Sequence, residues 1–157
     1  MLKEKEKERT TAMETKDNIT LHFIPNCSVG DFKFKTPIDL YLEKPHLVET
    51  FIEKYYTYDS YYFYEDDVTV DVENGLICNI ICDNNLYWGN HNLIRMNFKN
   101  FLSTFNLKYS CFEKIYLAGI NQTQKVYDFD ELGLQVWVWR NLIRTVIVSK
   151  YEEEDGK

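Results

Sequence analysis

The chain has 157 residues, of which 45% are hydrophobic and 16% are aromatic, so it holds enough apolar material for the core of one domain. Its formal net charge of -7 argues against a nucleic-acid partner, because proteins that bind nucleic acid neutralise phosphates with lysine and arginine. No apolar run in the sequence approaches the ~18 residues of a membrane-spanning helix, so we predict no membrane partner.

Both ends of the chain are charged and poor in apolar residues. Residues 1–18 carry five basic and five acidic side chains, and residues 151–157 carry four acidic side chains and one lysine. Such segments bury too little apolar surface to offset the entropy lost on ordering, so we predict disordered charged tails over 1–18 and 151–157. The N-terminal segment lacks the apolar core of a secretory signal, which favours a cytoplasmic location. One domain is predicted over residues 19–150.

The first half of that domain begins with strand and helix signals. Short apolar stretches at 19–24 and 32–34 predict two strands. Thr36 and Pro37 are typical of a helix N-cap and first helical position, so a helix is predicted over residues 38–42. A second helix is predicted after Pro45, where apolar residues recur at helical spacing: Leu47, Val48, Phe51, Ile52 and Tyr55.

A strand at 61–64 and a β-hairpin are predicted next. Residues 68–73 alternate between valine and polar residues, and residues 76–82 form a second β-rich run. Between them, Asn74 and Gly75 suit the two positive φ angles of a type I′ turn. Because a two-residue turn sets the register, three cross-strand pairs are predicted: Val72 with Ile77, Val70 with Asn79, and Val68 with Ile81.

The second half follows the same order. Asn97 is predicted to cap a helix over residues 98–105. Strands are predicted at 115–118, 125–129, 134–139 and 142–148, the last two joined by Arg140 and Asn141. The register rule then pairs Val138 with Ile143, Val136 with Thr145, and Leu134 with Ile147.

The two halves are related by an internal repeat. An offset of 66 residues places 61–81 on 127–147 without a gap, with eight identical positions out of 21. We therefore predict two repeats, over about 29–83 and about 91–149, each made of a strand, a helix and an antiparallel hairpin. The predicted fold class is α+β, with one antiparallel sheet and helices packed on one of its faces.

The predicted register also assigns the two faces of the hairpins. Val70, Val72, Ile77 and Ile81 and their equivalents form the predicted core face. Trp137, Trp139 and Arg144 lie on the opposite face, with Trp137 directly opposite Arg144 at cation–π distance. This face is either covered by another element or open to a partner, and cover by the strand at 19–24 or by the tyrosine-rich segment is the favoured interpretation.

The sequence lacks the residue patterns of known catalytic and metal sites. It contains no phosphate-binding loop and no metalloprotease motif. Its histidines have no neighbouring nucleophile or paired carboxylate, and its cysteines lack the paired spacing of zinc ligands: His22, His46 and His91; Cys27, Cys78, Cys82 and Cys111. We predict structural histidines, buried free thiols, no metal, no cofactor and no enzymatic activity.

Residues 55–73 contain six tyrosines and six acidic residues but no lysine or arginine. The simpler interpretation is that half of the tyrosines are core and the acids line a solvated turn. The alternative is a surface that binds a basic protein, because tyrosine supplies contact area and a negative field speeds encounter with a positive partner. The candidate partner-binding residues are Tyr64, Glu65, Asp66, Asp67, Asp71, Glu73, Trp137, Trp139 and Arg144.

Two segments resemble small bacterial immunity proteins of toxin systems. Residues 127–136, Tyr-Asp-Phe-Asp-Glu-Leu-Gly-Leu-Gln-Val, resemble the start of a strand in the two-repeat α+β domains of that group, and the step from Phe34 to Ile38 is similar. The resemblance implies an inhibitor that binds and occludes a cognate toxin with a basic surface, such as a nuclease. The alternatives are a general interaction or scaffold module and a small-ligand-binding domain that uses the Trp137 and Trp139 face. A homodimer also remains open.

Overall fold

The computed structural model describes residues 19–152. The predicted tail over 1–18 and residues 153–157 of the acidic tail lie outside the described residues. The predicted disorder is wrong for Tyr151 and Glu152, which contact the domain: the backbone N–H of Tyr151 donates to Asn26 Oδ1 at 2.7 Å, and Lys35 Nζ lies 2.7 Å from Glu152 Oε1.

Residues 19–152 are mostly β-structure, with 51% strand and 10% helix, which corrects the predicted α+β fold with helices packed on one face of a sheet. In chain order the strands of residues 19–152 are β1 (Phe23–Ile24), β2 (Ser28–Val29), β3 (Phe32–Lys33), β4 (His46–Ile52), β5 (Thr57–Phe63), β6 (Val68–Glu73), β7 (Leu76–Cys82), β8 (Tyr87–Trp88), β9 (His91–Asn92), β10 (Cys111–Leu117), β11 (Gln122–Phe129), β12 (Leu134–Trp139) and β13 (Leu142–Ser149). Over the same described range, the helical elements are two 3₁₀ turns, Ile38–Tyr41 and Asp130–Leu132, and one α-helix, α1 (Phe98–Thr104).

Eight of the strands form one antiparallel sheet in the order β10-β11-β12-β13-β7-β6-β5-β4. Strands β4 to β7 and strands β10 to β13 are two meanders, one from each half of the chain, and they join where β13 pairs with β7. Strands β1, β2 and β3 form a small sheet of their own, and β8 pairs with β9.

The two hairpins meet where β7 pairs with β13. Ile147 pairs with Ile81, and its neighbours Val146 and Val148 pair with Cys82 and Ile80. Ile147 is also the residue that lies 66 positions after Ile81, so a local two-fold axis passes between these two residues. The segments before the helical elements match at an offset of 60: the backbone N–H of Lys35 donates to Ile77, and that of Arg95 donates to Ile143.

Both hairpins contain a β-bulge, and the bulges lie at equivalent positions. The register shifts between Asp71 and Val72 in one repeat and between Trp137 and Val138 in the other. The predicted pairs next to the turns, Val72 with Ile77 and Val138 with Ile143, are correct. Beyond the bulges the predicted register is wrong by one residue, because a bulge adds an unpaired residue to one strand. Ile81 and Ile147, predicted for the core face, therefore lie on the opposite face, and Ile80 and Val146 are buried instead. The observed pairs are Val70 with Ile80, Thr69 with Ile81, Val136 with Val146, Gln135 with Ile147 and Leu134 with Val148.

The predicted second helix is strand β4. Its apolar residues fit a helical period, but the segment pairs along its length with β5, where Phe51 lies opposite Tyr58 and Leu47 opposite Tyr62. β4 is an edge strand, and Leu47 is 60% exposed. Pairing with a neighbouring strand therefore outweighed the local helical spacing, as is common for β-branched and aromatic residues. The predicted helix at 38–42 is only the 3₁₀ turn Ile38–Tyr41.

The core lies on one face of the eight-stranded sheet. Val70, Val136, Ile77 and Ile143 are fully buried there. The small sheet, the first 3₁₀ turn and α1 cover this face with Phe32, Ile38, Phe98 and Phe101. The cap of α1 is as predicted, since the Asn97 side chain accepts a hydrogen bond from the backbone N–H of Asn100 at 3.1 Å.

Candidate functional site

The face of the sheet opposite the core is the outer face. Because side chains alternate along a strand, it consists of the residues between the buried ones. Most of these side chains are half-buried or exposed, and Gln124 and Val126 are buried exceptions. The outer face includes Glu49 and Phe51 from β4, Tyr58, Ser60 and Tyr62 from β5, Asp71 and Glu73 from β6, Asn79 from β7, Arg144 and Ile147 from β13, Gln135, Trp137 and Trp139 from β12, Asp128 from β11, and Glu113 from β10.

The outer face is predominantly acidic. Its strands carry five carboxylates and one guanidinium group, namely Glu49, Asp71, Glu73, Glu113, Asp128 and Arg144. No ion pair within residues 19–152 includes any of these six side chains. The acidic side chains therefore leave a net negative field on this face.

Asp71 lies in a polar cluster on the first repeat. The hydroxyl of Ser60 donates to Asp71 Oδ1 at 2.9 Å, and Asn79 lies opposite Asp71 across the strand pair. Desolvation raises the pKa of Asp71, while hydrogen bonds from Ser60 and Asn79 partly oppose this rise. Burial therefore destabilises the ionised form of Asp71, and a cation brought close by a partner would stabilise it.

Tyrosines on the same half of the outer face are hydrogen-bond donors at neutral pH. Desolvation raises the pKa of Tyr58, and nearby Asp71 and Glu53 raise it further. The ring of Tyr58 stacks on Phe51, with ring centroids 5.2 Å apart. This part of the face combines aromatic area with neutral hydroxyl groups and carboxylates.

The second repeat places two tryptophans at the equivalent positions. Trp137 Nε1 donates to Gln135 Oε1, and Gln135 Nε2 donates to Asp128 Oδ1, both at 2.9 Å. The guanidinium carbon atoms of Arg140 and Arg144 lie 4.3 Å and 5.1 Å from the ring centroid of Trp139. The Trp137 indole is therefore oriented by an amide, whereas Trp139 is oriented by two cations.

The predicted contact between Trp137 and Arg144 is wrong. Trp137 pairs with Thr145, because the bulge next to Trp137 shifts the register by one residue. Arg144 approaches Trp139 instead. Its Nε atom is buried and has no hydrogen-bond partner within the described part of the chain. The favoured cover of the tryptophans is also wrong, because β1 packs into the core through Phe23 and the tyrosine-rich segment belongs to the sheet itself.

Two depressions make parts of the outer face concave. One has a volume of about 830 Å³ and includes Asn79, Asp128 and Ile147, close to the local two-fold axis. The other has a volume of about 410 Å³ and includes Glu49 and Tyr62. Both depressions have carboxylates in their walls, so they suit protruding basic side chains.

The turn between β5 and β6 holds four of the candidate residues, Tyr64 to Asp67, outside the outer face. Asp66 is 8% exposed, and its Oδ2 atom lies 3.2 Å from Lys44 Nζ. Desolvation lowers the pKa of Lys44, but Asp66 and Asp31 raise it by more, so it lies above its usual value. The hydroxyl of Tyr62 donates to Asp67 Oδ1 at 2.6 Å. Asp66 is thus a structural residue, whereas Tyr64 and Glu65 are exposed.

The nine candidate residues therefore occupy three places. Asp71 and Glu73 lie on one half of the outer face, and Trp137, Trp139 and Arg144 lie on the other. From the strand spacing and the rise per residue, Asp71 and Trp137 are roughly 20 Å apart. Sequence reasoning missed Glu49, Phe51 and Tyr58 because it placed their segment in or beside a helix; the tyrosine-rich composition of residues 55–64 was the available signal.

The cysteines and histidines form no site in residues 19–152. Within that range no group of three or more metal-binding side chains is close enough together to hold an ion. Cys82 is buried, and desolvation raises its pKa, but Cys27 and Cys111 are exposed, so the prediction of buried thiols is wrong for these two. His46 begins β4 rather than a helix, and its ring packs 5.7 Å from that of Phe63.

Comparison of the chain with protein-family models, curated proteins and solved structures finds no match. Among residues 19–152, no helix is long and apolar enough to cross a membrane.

Proposed function

We propose that the protein is an immunity-type inhibitor that binds and occludes a basic protein toxin with the outer face of its sheet. The observation that supports this proposal is the composition of that face, whose strands carry five carboxylates, one arginine and several aromatic rings, with Arg140 from the adjoining turn against Trp139. Tryptophan, tyrosine and arginine are the residue types most enriched at the centres of protein interfaces. A one-sided negative field also speeds association with a positive partner.

The outer face has the size that such binding needs. Eight strands about 4.8 Å apart and about 6 residues long cover roughly 750 Å². This is close to the ~800 Å² that each partner buries in a standard interface. The aromatic side chains supply the apolar contact, and the carboxylates take the positions that phosphate groups occupy in the cleft of a basic nuclease.

The test is co-expression with the basic proteins encoded beside the gene of this protein. We expect one of them to arrest growth by itself, and we expect the wild-type chain to restore growth and to co-purify with it. Trp137→Ala and Trp139→Ala should each lose protection while the free proteins still fold. Leu40→Ala, which alters a side chain that is 69% exposed away from the outer face, is the matched control and should protect fully.

A kinetic experiment tests the electrostatic part of the proposal. The double variant Glu49→Gln/Glu73→Gln should lower the association rate with the toxin about tenfold, and added salt should reduce the difference. The control Glu43→Gln/Glu131→Gln removes two exposed acids away from the outer face and should leave the rate unchanged. Equal rates for the two double variants would contradict binding through the outer face.

A further inference from the structure

The two repeats differ sharply in charge. Residues 19–86 contain 12 acidic and four basic side chains, whereas residues 87–152 contain five acidic and eight basic ones. Part of the difference lies at one pair of equivalent places, on the core side of the sheet beside Tyr61 and Tyr127.

A cationic cleft surrounds Tyr127. It has a volume of about 380 Å³, and its charged lining residues are Lys99, Lys125 and Arg140, with no carboxylate among the residues that line it. None of the three cations takes part in an ion pair within residues 19–152. Their positive charge is therefore not neutralised inside the described domain.

The equivalent place in the first repeat has the opposite charge. Asp39 corresponds to Lys99 at the offset of 60, and Asp59 corresponds to Lys125 at the offset of 66. Desolvation raises the pKa of Tyr61, and Asp59 and Asp39 raise it further, so both acids lie near this ring. The same backbone thus presents two acids in one repeat and two lysines in the other.

The position of Lys125 in the second repeat lowers the stability of the fold. Lys125 lies directly opposite Lys114 on the neighbouring strand, and like charges in such pairs are destabilising. In the first repeat the corresponding pair is favourable, since the hydroxyl of Thr50 donates to Asp59 Oδ1 at 2.7 Å. An anion bound in the cleft beside Lys125 would lessen this repulsion.

Arg140 is also held in an unfavourable conformation. It has a φ of 52° in the hairpin turn, where the first repeat has Asn74 with a φ of 54°. Left-handed backbone is costly for a long side chain and less so for asparagine. The guanidinium carbon atom of Arg140 lies 4.3 Å from the ring centroid of Trp139, so the arginine is oriented as well as strained.

We propose that the cationic cleft binds the phosphate group of a small phosphate monoester. Arg140 presents a planar fork of donors that matches phosphate oxygens, and Lys99 and Lys125 supply the remaining positive charge. Phe98, whose ring stacks 4.0 Å from that of Tyr127, forms with Tyr127 and Val138 an apolar floor for the organic part of the ligand.

The cleft volume is at the lower end of the range for small-ligand sites. The cleft holds three cations, Lys99, Lys125 and Arg140. A phosphate dianion neutralises more of this positive charge than a singly charged carboxylate does, so the cleft favours the dianion. Lys99 and Lys125 lie on the core side of the sheet, so the cleft does not depend on the proposed function. Arg140 is shared, since it lines the cleft and its guanidinium group also contacts Trp139 of the outer face.

The experiment is calorimetric titration of the full chain with AMP, inorganic phosphate and adenosine. We expect AMP to bind, inorganic phosphate to bind more weakly and adenosine not to bind at the same concentrations. Lys125→Gln should weaken AMP binding at least tenfold. Lys108→Gln, which alters an exposed lysine of the same repeat outside the cleft, should leave it unchanged.

Thermal melting gives a second readout. Without ligand, Lys125→Gln should melt above the wild type because the Lys114 repulsion is removed, and with AMP at tenfold excess over Kd the wild type should gain about 3 °C that the variant lacks. Equal affinity for inorganic phosphate and AMP would identify free phosphate as the ligand. No binding of either, equal binding by Lys125→Gln, or an oligonucleotide that binds a hundredfold tighter than AMP would overturn the proposal.

Discussion

The first repeat turns its hairpin with Asn74-Gly75 and the second with Arg140-Asn141, yet both pairs have positive φ angles and both turns are followed by a bulge at the equivalent position. The backbones agree because strand pairing and the shared core constrain them. The surface side chains differ, with Asp71 and Glu73 where the other repeat has Trp137 and Trp139. Strand pairing and core packing thus constrain the backbone to be the same in both repeats, whereas the exposed positions can carry acidic side chains in one repeat and aromatic side chains in the other.

Ile77 and Ile143, which are both fully buried, test whether the two repeats contribute equally to the core. Ile77→Ala and Ile143→Ala should each lower the free energy of unfolding by about 3 kcal/mol, because each leaves a cavity in the same layer. Urea denaturation of both variants measures this. A difference of more than about 2 kcal/mol between them would show that the two halves of the core are packed differently.

The next largest loss of stability should come from removing the ion pair between Lys44 and Asp66, which has no equivalent in the second repeat. Lys44→Met leaves the buried carboxylate of Asp66 unpaired and should cost about 2 kcal/mol at pH 7. The pKa of Lys44 lies above its usual value of 10.5, so the folded state binds this proton more tightly than the unfolded state. The stabilisation is therefore present below pH 10.5 and lost as the pH rises through the folded-state value. Denaturation curves of both proteins should converge in that range, and a constant gap would contradict the assignment.

Transferring the first turn to the second repeat sharpens the comparison of backbones. Arg140→Asn/Asn141→Gly should stabilise the protein by about 1 kcal/mol, because Asn-Gly suits a type I′ turn better. The same double variant should lose affinity for AMP. Unchanged stability would mean that the contact between Arg140 and Trp139 already offsets the backbone cost.

The smallest expected effect concerns Asp71. Desolvation raises its pKa above the usual value of 3.8, so its ionisation destabilises the folded state as the pH rises above that value. Asp71→Asn should stabilise the protein at pH 7 by roughly 0.5 kcal/mol, since the group is only partly buried, and the gain should vanish below about pH 4. Loss of stability at pH 7 would instead show that the hydrogen bond from Ser60 dominates.

Local sequence patterns were enough to predict both hairpins, their two-residue turns and the Asn97 cap. They failed at residues 46–52, where the same apolar residues fit a helix and a strand. They also failed at the bulges, because alternation continues on both sides of an inserted residue and does not reveal it. Composition was enough to select the candidate residues. It did not predict that they lie on two separate halves of the outer face and in the turn between β5 and β6.

The sequence by itself determined the elements whose signals are short in range: valine alternation around a two-residue turn and an amide that caps the next helix. The tertiary structure decided what depends on distant partners. Only the pairing of β4 with β5 made residues 46–52 a strand, since an edge strand gains its hydrogen bonds from its neighbour. Only the antiparallel contact of β7 with β13 placed two similar backbones on one sheet, with carboxylates on one half of its outer face and tryptophans on the other.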